Sequence, residues 1–163
     1  MATEVSRDAP QVAGRPQIVQ PAGEKVYRVM GGIDCTVLLR TQDTGHACDV
    51  CIAVFPPQSG MPAHLHHRTD EAVYVLEGQL ELQIGDRTQT VGTDALGFIP
   101  RETAHAMHNS SAAPCRVLLW QLPGADLQGQ LEEMSQLPPG PPDMGQLLAL
   151  FAKYDIEPVA PAE

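Results

Sequence analysis

The sequence predicts an all-β domain, a barrel or sandwich of antiparallel strands with helices at its C-terminal end. Three observations carry this. From Lys25 to Leu122, short β-prone runs alternate with turn signals. Glycine and proline number 14 and 15 in a chain of 163 residues, which favours frequent turns over a helix bundle. No helical pattern lies between the runs, so a parallel α/β architecture fits poorly.

Residues 1–24 carry Pro10, Pro16 and Pro21 with little periodicity, and read as an extended arm. The expected strands are 25–30, 33–41, 47–55, 71–78, 79–85, 87–91, 95–100, 104–109 and 115–122. The segment 79–85 is the cleanest: Leu80, Leu82 and Ile84 alternate with Glu81 and Gln83, the mark of a half-buried strand. Gly78 and the Gly85-Asp86 pair separate neighbouring runs as hairpin turns do. After Pro123 the pattern changes. Residues 125–136 read as a short helix, and Leu137 leads into a stiff Pro-Pro-Gly-Pro-Pro connector. Asp143 is placed to cap a last helix, on which Leu147, Leu148, Leu150, Phe151 and Tyr154 recur at helical spacing. The expected organisation is an arm over 1–24, a β-barrel over 25–122 and a helical extension over 123–163.

Composition excludes several classes. Hydrophobic residues make up 43%, ordinary for a soluble globule, and the formal net charge is −10. That balance argues against nucleic-acid and anionic-membrane partners, which need basic patches. No run approaches the roughly 18 apolar residues of a membrane span, and the first ten residues lack an apolar signal core. A soluble, cytoplasmic protein is expected. Cys35, Cys48, Cys51 and Cys115 are too few for a disulfide scaffold. Cys48 and Cys51 form a CxxC, but on a strand positions i and i+3 face opposite sides, so the pair reads as structural and reduced.

Five of the six histidines fall between positions 64 and 108. His64 and His66 stand at i and i+2, so on a strand they share a face. Glu71 follows after a turn, and His105 comes after Pro100. If two hairpins bring these segments together, three imidazoles and one carboxylate converge. Such a set suits Fe(II), Mn(II), Ni(II), Co(II) or Zn(II) alike, with positions left for substrate, and Fe(II) is the metal expected. Met107 is in phase with His105, and Val73, Val75 and Phe98 are further candidates to line a substrate pocket. His67 and His108 are out of phase and expected to face away. Asn109 is expected to fix a turn, Arg68 and Asp70 to form an exposed pair, and His46 to sit in a loop.

These segments resemble the cupin superfamily. GMPAHLHHRTDEAVYVLEG is similar to its first motif, G(X)5HXH(X)3–4E(X)6G, through His64, His66, Glu71 and Gly78. IPRETAHAMHN is similar to its second motif, G(X)5PXG(X)2H(X)3N, through Pro100, His105 and Asn109. Gly60 and Gly92 are out of register with the leading motif glycines, and Glu102 replaces the glycine after Pro100. With a side chain there, the turn before His105 is expected to take another shape. The resemblance implies a small jelly-roll barrel with His64, His66, Glu71 and His105 as metal ligands. The chain looks most like single-domain quercetin 2,3-dioxygenase-like cupins. That implies O2-dependent oxidation of a small enolisable or phenolic substrate, with Glu71 doubling as a base. Two other readings compete: a non-redox isomerase, epimerase or cyclase of secondary metabolism, and a small-molecule binding protein. A homodimer is expected, because the arm and the apolar stripe have no obvious place on a lone barrel and barrel edges need covering.

Overall fold

In a computed structural model that describes residues 14–138 and 143–160, eleven strands form two sheets. They are β1 Val26–Arg28, β2 Asp34–Leu39, β3 Asp49–Phe55, β4 Ser59–Leu65, β5 Asp70–Glu77, β6 Gln79–Ile84, β7 Arg87–Gly92, β8 Leu96–Ile99, β9 His105–Asn109, β10 Cys115–Leu122 and β11 Glu157–Pro158. One sheet runs β1-β2-β3-β10-β5-β8 and the other β11-β4-β9-β6-β7. Two helices, α1 Leu127–Ser135 and α2 Met144–Lys153, follow β10. This is the small jelly-roll barrel expected. Residues 1–13 of the arm and 139–142 of the connector lie outside the described residues. Residues 14–24 form no helix or strand, and Arg15 N donates to Asp43 O. None of the described helices is long and apolar enough to cross a membrane.

Alternation explains the barrel. Along β10 every second residue is buried, from Cys115 through Val117 and Leu119 to Gln121. Across the first sheet these residues stand in register with inward neighbours. Val117 lies between Ala53 and Val75, Leu119 between Cys51 and Val73, and Gln121 between Asp49 and Glu71. Directly opposed residues share a face, so the inside is built in rows. The deeper rows are apolar. The row nearest the ends of β4 and β9 is polar: Asp49, Gln121 and Glu71. Gly97 shows how closely the two sheets meet at depth: a Cβ there would sit 2.5 Å from Leu82 and 3.1 Å from Val73.

Two strands escaped the sequence reading. β4 contains Gly60 and Pro62 and no β-branched residue, so it carries little strand signal. β11 is two residues long and pairs with Leu65 and His64 of β4. Helix α2 also needs a correction. Leu147, Leu150, Phe151 and Tyr154 are buried, but Leu148 is 47% exposed, because it lies about 100° round the helix from Leu147. The buried stripe packs within the chain, against Ile156, Met30, Met134 and Leu137. It therefore has a place on a lone barrel and gives no ground for a dimer.

Candidate metal centre

The four expected ligands sit at strand ends on one side of the barrel. His64 lies near the end of β4 and His66 just past it, while Glu71 and His105 stand at the starts of β5 and β9. The register of β4 against β9 shifts between Met61 and His64. An extra residue there turns both Met61 and His64 inward, and Pro62, which has no N–H to lose, occupies the irregularity. One ligand atom from each of His64, His66, Glu71 and His105 lies within 4.8 Å of all the others. His66 Nε2 and His105 Nε2 are each 3.3 Å from Glu71 Oε2.

Each imidazole is oriented by a backbone carbonyl. Nδ1 of His64 lies 2.8 Å from Pro62 O, Nδ1 of His66 2.9 Å from Asp155 O, and Nδ1 of His105 3.0 Å from Thr103 O. A carbonyl only accepts, so Nδ1 carries the proton and the Nε2 lone pair points to the centre. His105 Nε2 is buried without a hydrogen-bond partner. Three nitrogen lone pairs and a carboxylate facing one another repel unless a cation lies among them. The donor set therefore fits a divalent metal of the borderline kind, with the carbonyls fixing each ring from behind.

Electrostatics follow from burial. Burial, reinforced by His105 beside it, pulls the His64 imidazole down to about 4. For Glu71, burial alone would raise the pKa, but His105 and His66 outweigh it and hold the carboxyl well below the usual range. Burial opposes protonation of His105, but Glu71 outweighs it and raises the imidazole.

A cavity of about 190 Å³ opens from this centre. His64, His66 and Glu71 line it, while His105, whose donor atom lies within 4.8 Å of theirs, does not. Its apolar wall includes Met61, Leu119, Leu131, Met134, Phe151 and Ile156, and no Lys or Arg lines it among the described residues. Much of the wall is thus C-terminal extension, a contribution the sequence reading did not assign. The amphipathic spacing of α1 and α2 was the available signal.

The expected pocket residues need correcting. Phe98 is 56% exposed on β8, because Gly97 and Ile99 take the inward positions of that strand. Val73, Val75 and Met107 are buried in the barrel core but do not line the cavity. They sit in the apolar rows beyond the ligands, while the cavity spreads towards β2 and α1. Cys35 and Cys51 line the cavity instead. Burial pushes the Cys35 thiol up to about 12 and Cys51 well above its usual value, so both are neutral. All four cysteines are free.

Other expectations resolve individually. Glu102 has φ +64°, in the left-handed region that favours glycine, so a side chain occupies the conformation for which the motif glycine supplies freedom. Its backbone N–H donates to His66 O at 2.7 Å, which ties the turn to the ligand strand. Exposed His67 points away from the centre and lies between the Glu102 and Glu157 carboxylates. Asn109 Nδ2 donates to Phe55 O and Ala113 O and its Oδ1 accepts from Ser111, a turn-fixing role. Arg68 and Asp70 do not pair with each other. Asp70 binds Arg101, and Arg68 binds Asp155. His46 sits in a turn with positive φ.

A family model described as the cupin domain matches residues 51–121. That stretch spans β3 to β10 and contains all four ligands. No curated protein matches the chain. Among solved structures, a Thermotoga maritima protein described as a predicted oxalate decarboxylase is 17% identical, with TM-score 0.62, over 65% of this chain and 98% of that one. The polyketide cyclase RemF from Streptomyces resistomycificus is 24% identical, with TM-score 0.58, over 66% and 79% of the two chains. A sugar phosphate isomerase of the cupin superfamily from Silicibacter pomeroyi is 18% identical, with TM-score 0.58, over 67% and 77%. At these identities the likeness shows the fold alone. The domain match itself covers residues 51–121, less than half of the chain.

Proposed function

We propose that the protein is a metal-dependent enzyme that oxidises a small, neutral, mostly apolar substrate, an enolisable or phenolic compound, with O2. The observation that carries this reading is the junction of the two halves of the site. Three carbonyl-oriented imidazoles and one carboxylate cluster beside an apolar cavity that His64, His66 and Glu71 line and that no Lys or Arg lines among the described residues. His64, His66, Glu71 and His105 hold the metal, Fe(II) in first place, and a bound divalent metal polarises a substrate oxygen and, if redox-active, supports O2 chemistry. Phosphates and multiply charged acids find no cationic side chain here. Glu71, the only carboxylate lining the cavity among the described residues, takes the proton of the substrate hydroxyl. Its lowered pKa makes it a weak base while it faces His66 and His105, so this role requires it to move off them. In a dioxygenation both oxygen atoms enter the product and no external reductant is needed.

A homodimer belongs to the same proposal. It is motivated by Leu96 and Phe98, exposed side by side on the edge strand β8.

Reconstitution of apoprotein with Fe(II), Mn(II), Ni(II), Co(II) and Zn(II) in turn tests the reading. O2 uptake against a panel of phenols and diketones should appear with a redox-active metal and vanish with Zn(II). Equal turnover with Zn(II), or turnover under nitrogen, replaces the oxygenase by the non-redox cyclase or isomerase reading.

A further inference from the structure

The polar row of the first sheet contains one group that neither the fold nor the metal uses. Asp49 is fully satisfied: its carboxylate accepts from Thr41 Oγ1, Ala125 N and Leu127 N. Glu71 faces His66 and His105. Gln121 stands between them, directly opposite both. Its side chain is 6% exposed, lines the cavity, and buries Oε1 without a hydrogen-bond partner. Leaving such an amide dry and unpaired in a folded protein is unfavourable. A leucine of nearly the same size would fit an apolar wall better. The other amide of the wall, Gln130, leans its Nε2 towards Met134 Sδ on its own helix and is not paired across the sheet with Glu71 as Gln121 is.

We propose that Gln121 determines substrate specificity. Its amide hydrogen-bonds a second hydroxyl of a ligand whose first oxygen is directed at the His64, His66, Glu71 and His105 cluster. The proposal rests on the metal-site reading above and adds to it a substrate class. The terminal torsion of a glutamine is soft, so a small rotation turns Oε1 to a ligand hydroxyl. Gln121 and Glu71 are directly opposed, with Cβ atoms about 5 Å apart, so one small ring can reach the cluster with one oxygen and the amide with another. The ligand class is therefore a neutral aromatic or enolic compound with two oxygen functions on one ring and an apolar remainder against Leu131 and Phe151.

The test uses full-length protein loaded with Zn(II), which holds the site without redox turnover. Calorimetric titration compares 5-pentylresorcinol with 3-pentylphenol, which differ by one hydroxyl and do not chelate. Wild type should bind the resorcinol about three- to tenfold tighter. In Gln121→Leu the two affinities should become equal, with that for 3-pentylphenol unchanged or improved. Gln121→Met, with a longer unbranched side chain, provides a second variant should the first fold poorly. A preference retained in the folded variants, or absent in wild type, overturns the role of Gln121 and leaves the metal reading standing. Binding that is the same with and without Zn(II), or protein that retains no Zn(II), overturns the metal reading and the proposal with it.

Discussion

The strand ends and the C-terminal extension contribute unlike things to one cavity. The strand ends bring four donor atoms within 4.8 Å, each ring held by a carbonyl at 2.8 to 3.0 Å. The extension brings apolar surface: Leu127, Leu131 and Met134 from α1, Phe151 from α2, and Ile156. The two meet where β11 pairs with Leu65 and His64 and where Asp155 offers its carbonyl to His66 Nδ1 at 2.9 Å. On the proposed reading, metal binding and substrate shape fall to different stretches of chain, and mutation should separate them.

The largest effect is expected at the strand ends. A His64→Ala/His66→Ala variant removes two of three nitrogen donors and should carry no metal by elemental analysis. It should keep a wild-type circular dichroism spectrum, since neither ring belongs to the apolar core. Full metal content in this variant would sink the assignment.

Truncation before Asp143 probes the meeting point. It deletes α2, Asp155 and β11, and with them the carbonyl behind His66 and the Phe151 wall. Loss of such an orienting partner typically weakens metal binding about 10- to 100-fold, so zinc titration should show weaker but measurable binding. An unchanged affinity would mean that the extension leaves the centre untouched.

Phe151→Ala sharpens the contrast within the extension. The ring is buried in the apolar cluster of Leu147, Leu150, Tyr154 and Ile156. Denaturant unfolding should show a loss of about 3 kcal/mol, with one metal per chain retained. Metal loss at full stability would be the opposite of what the division of labour requires.

The smallest effect is expected at the turn that carries Glu102. A non-glycine residue at φ +64° is strained by roughly 1 kcal/mol. Glu102→Gly relieves that strain, while the exposed His67 contact it removes contributes little. The unfolding midpoint should rise slightly or stay level. A fall of more than about 1 kcal/mol would show that the contacts of His67 with Glu102 and Glu157 hold the tail in place.

Which parts were legible in the sequence follows from how local each signal is. Strand β6 declares itself through Leu80, Leu82 and Ile84, because alternation is a property of neighbours along the chain. The ligand set is legible for the same reason: His64, His66 and Glu71 lie within one strand-turn-strand unit. Strand β4 is hidden because Gly60 and Pro62 dilute its propensity, and its register shift is fixed only by pairing with β9. The pocket was misplaced because inward-facing and cavity-lining are different conditions. Val73, Val75 and Met107 do face in, but the opposite sheet fills the space before them. Phe98 was misassigned because the phase of a four-residue edge strand depends on Gly97 and Ile99 finding the core. Gln121 is marked inward by the alternation of Cys115, Val117 and Leu119, but not as part of the site. Only the cross-strand register puts it beside Glu71.

The central claim, that His64, His66, Glu71 and His105 hold one metal while the nearby thiols stay out, is tested most directly on Co(II)-loaded protein. Elemental analysis gives the stoichiometry, and X-ray absorption at the cobalt edge gives the donor atoms. The account predicts one cobalt per chain with nitrogen and oxygen donors alone, including three imidazoles. A sulfur shell at about 2.3 Å, from Cys35 or Cys51, or the absence of bound cobalt, would contradict it.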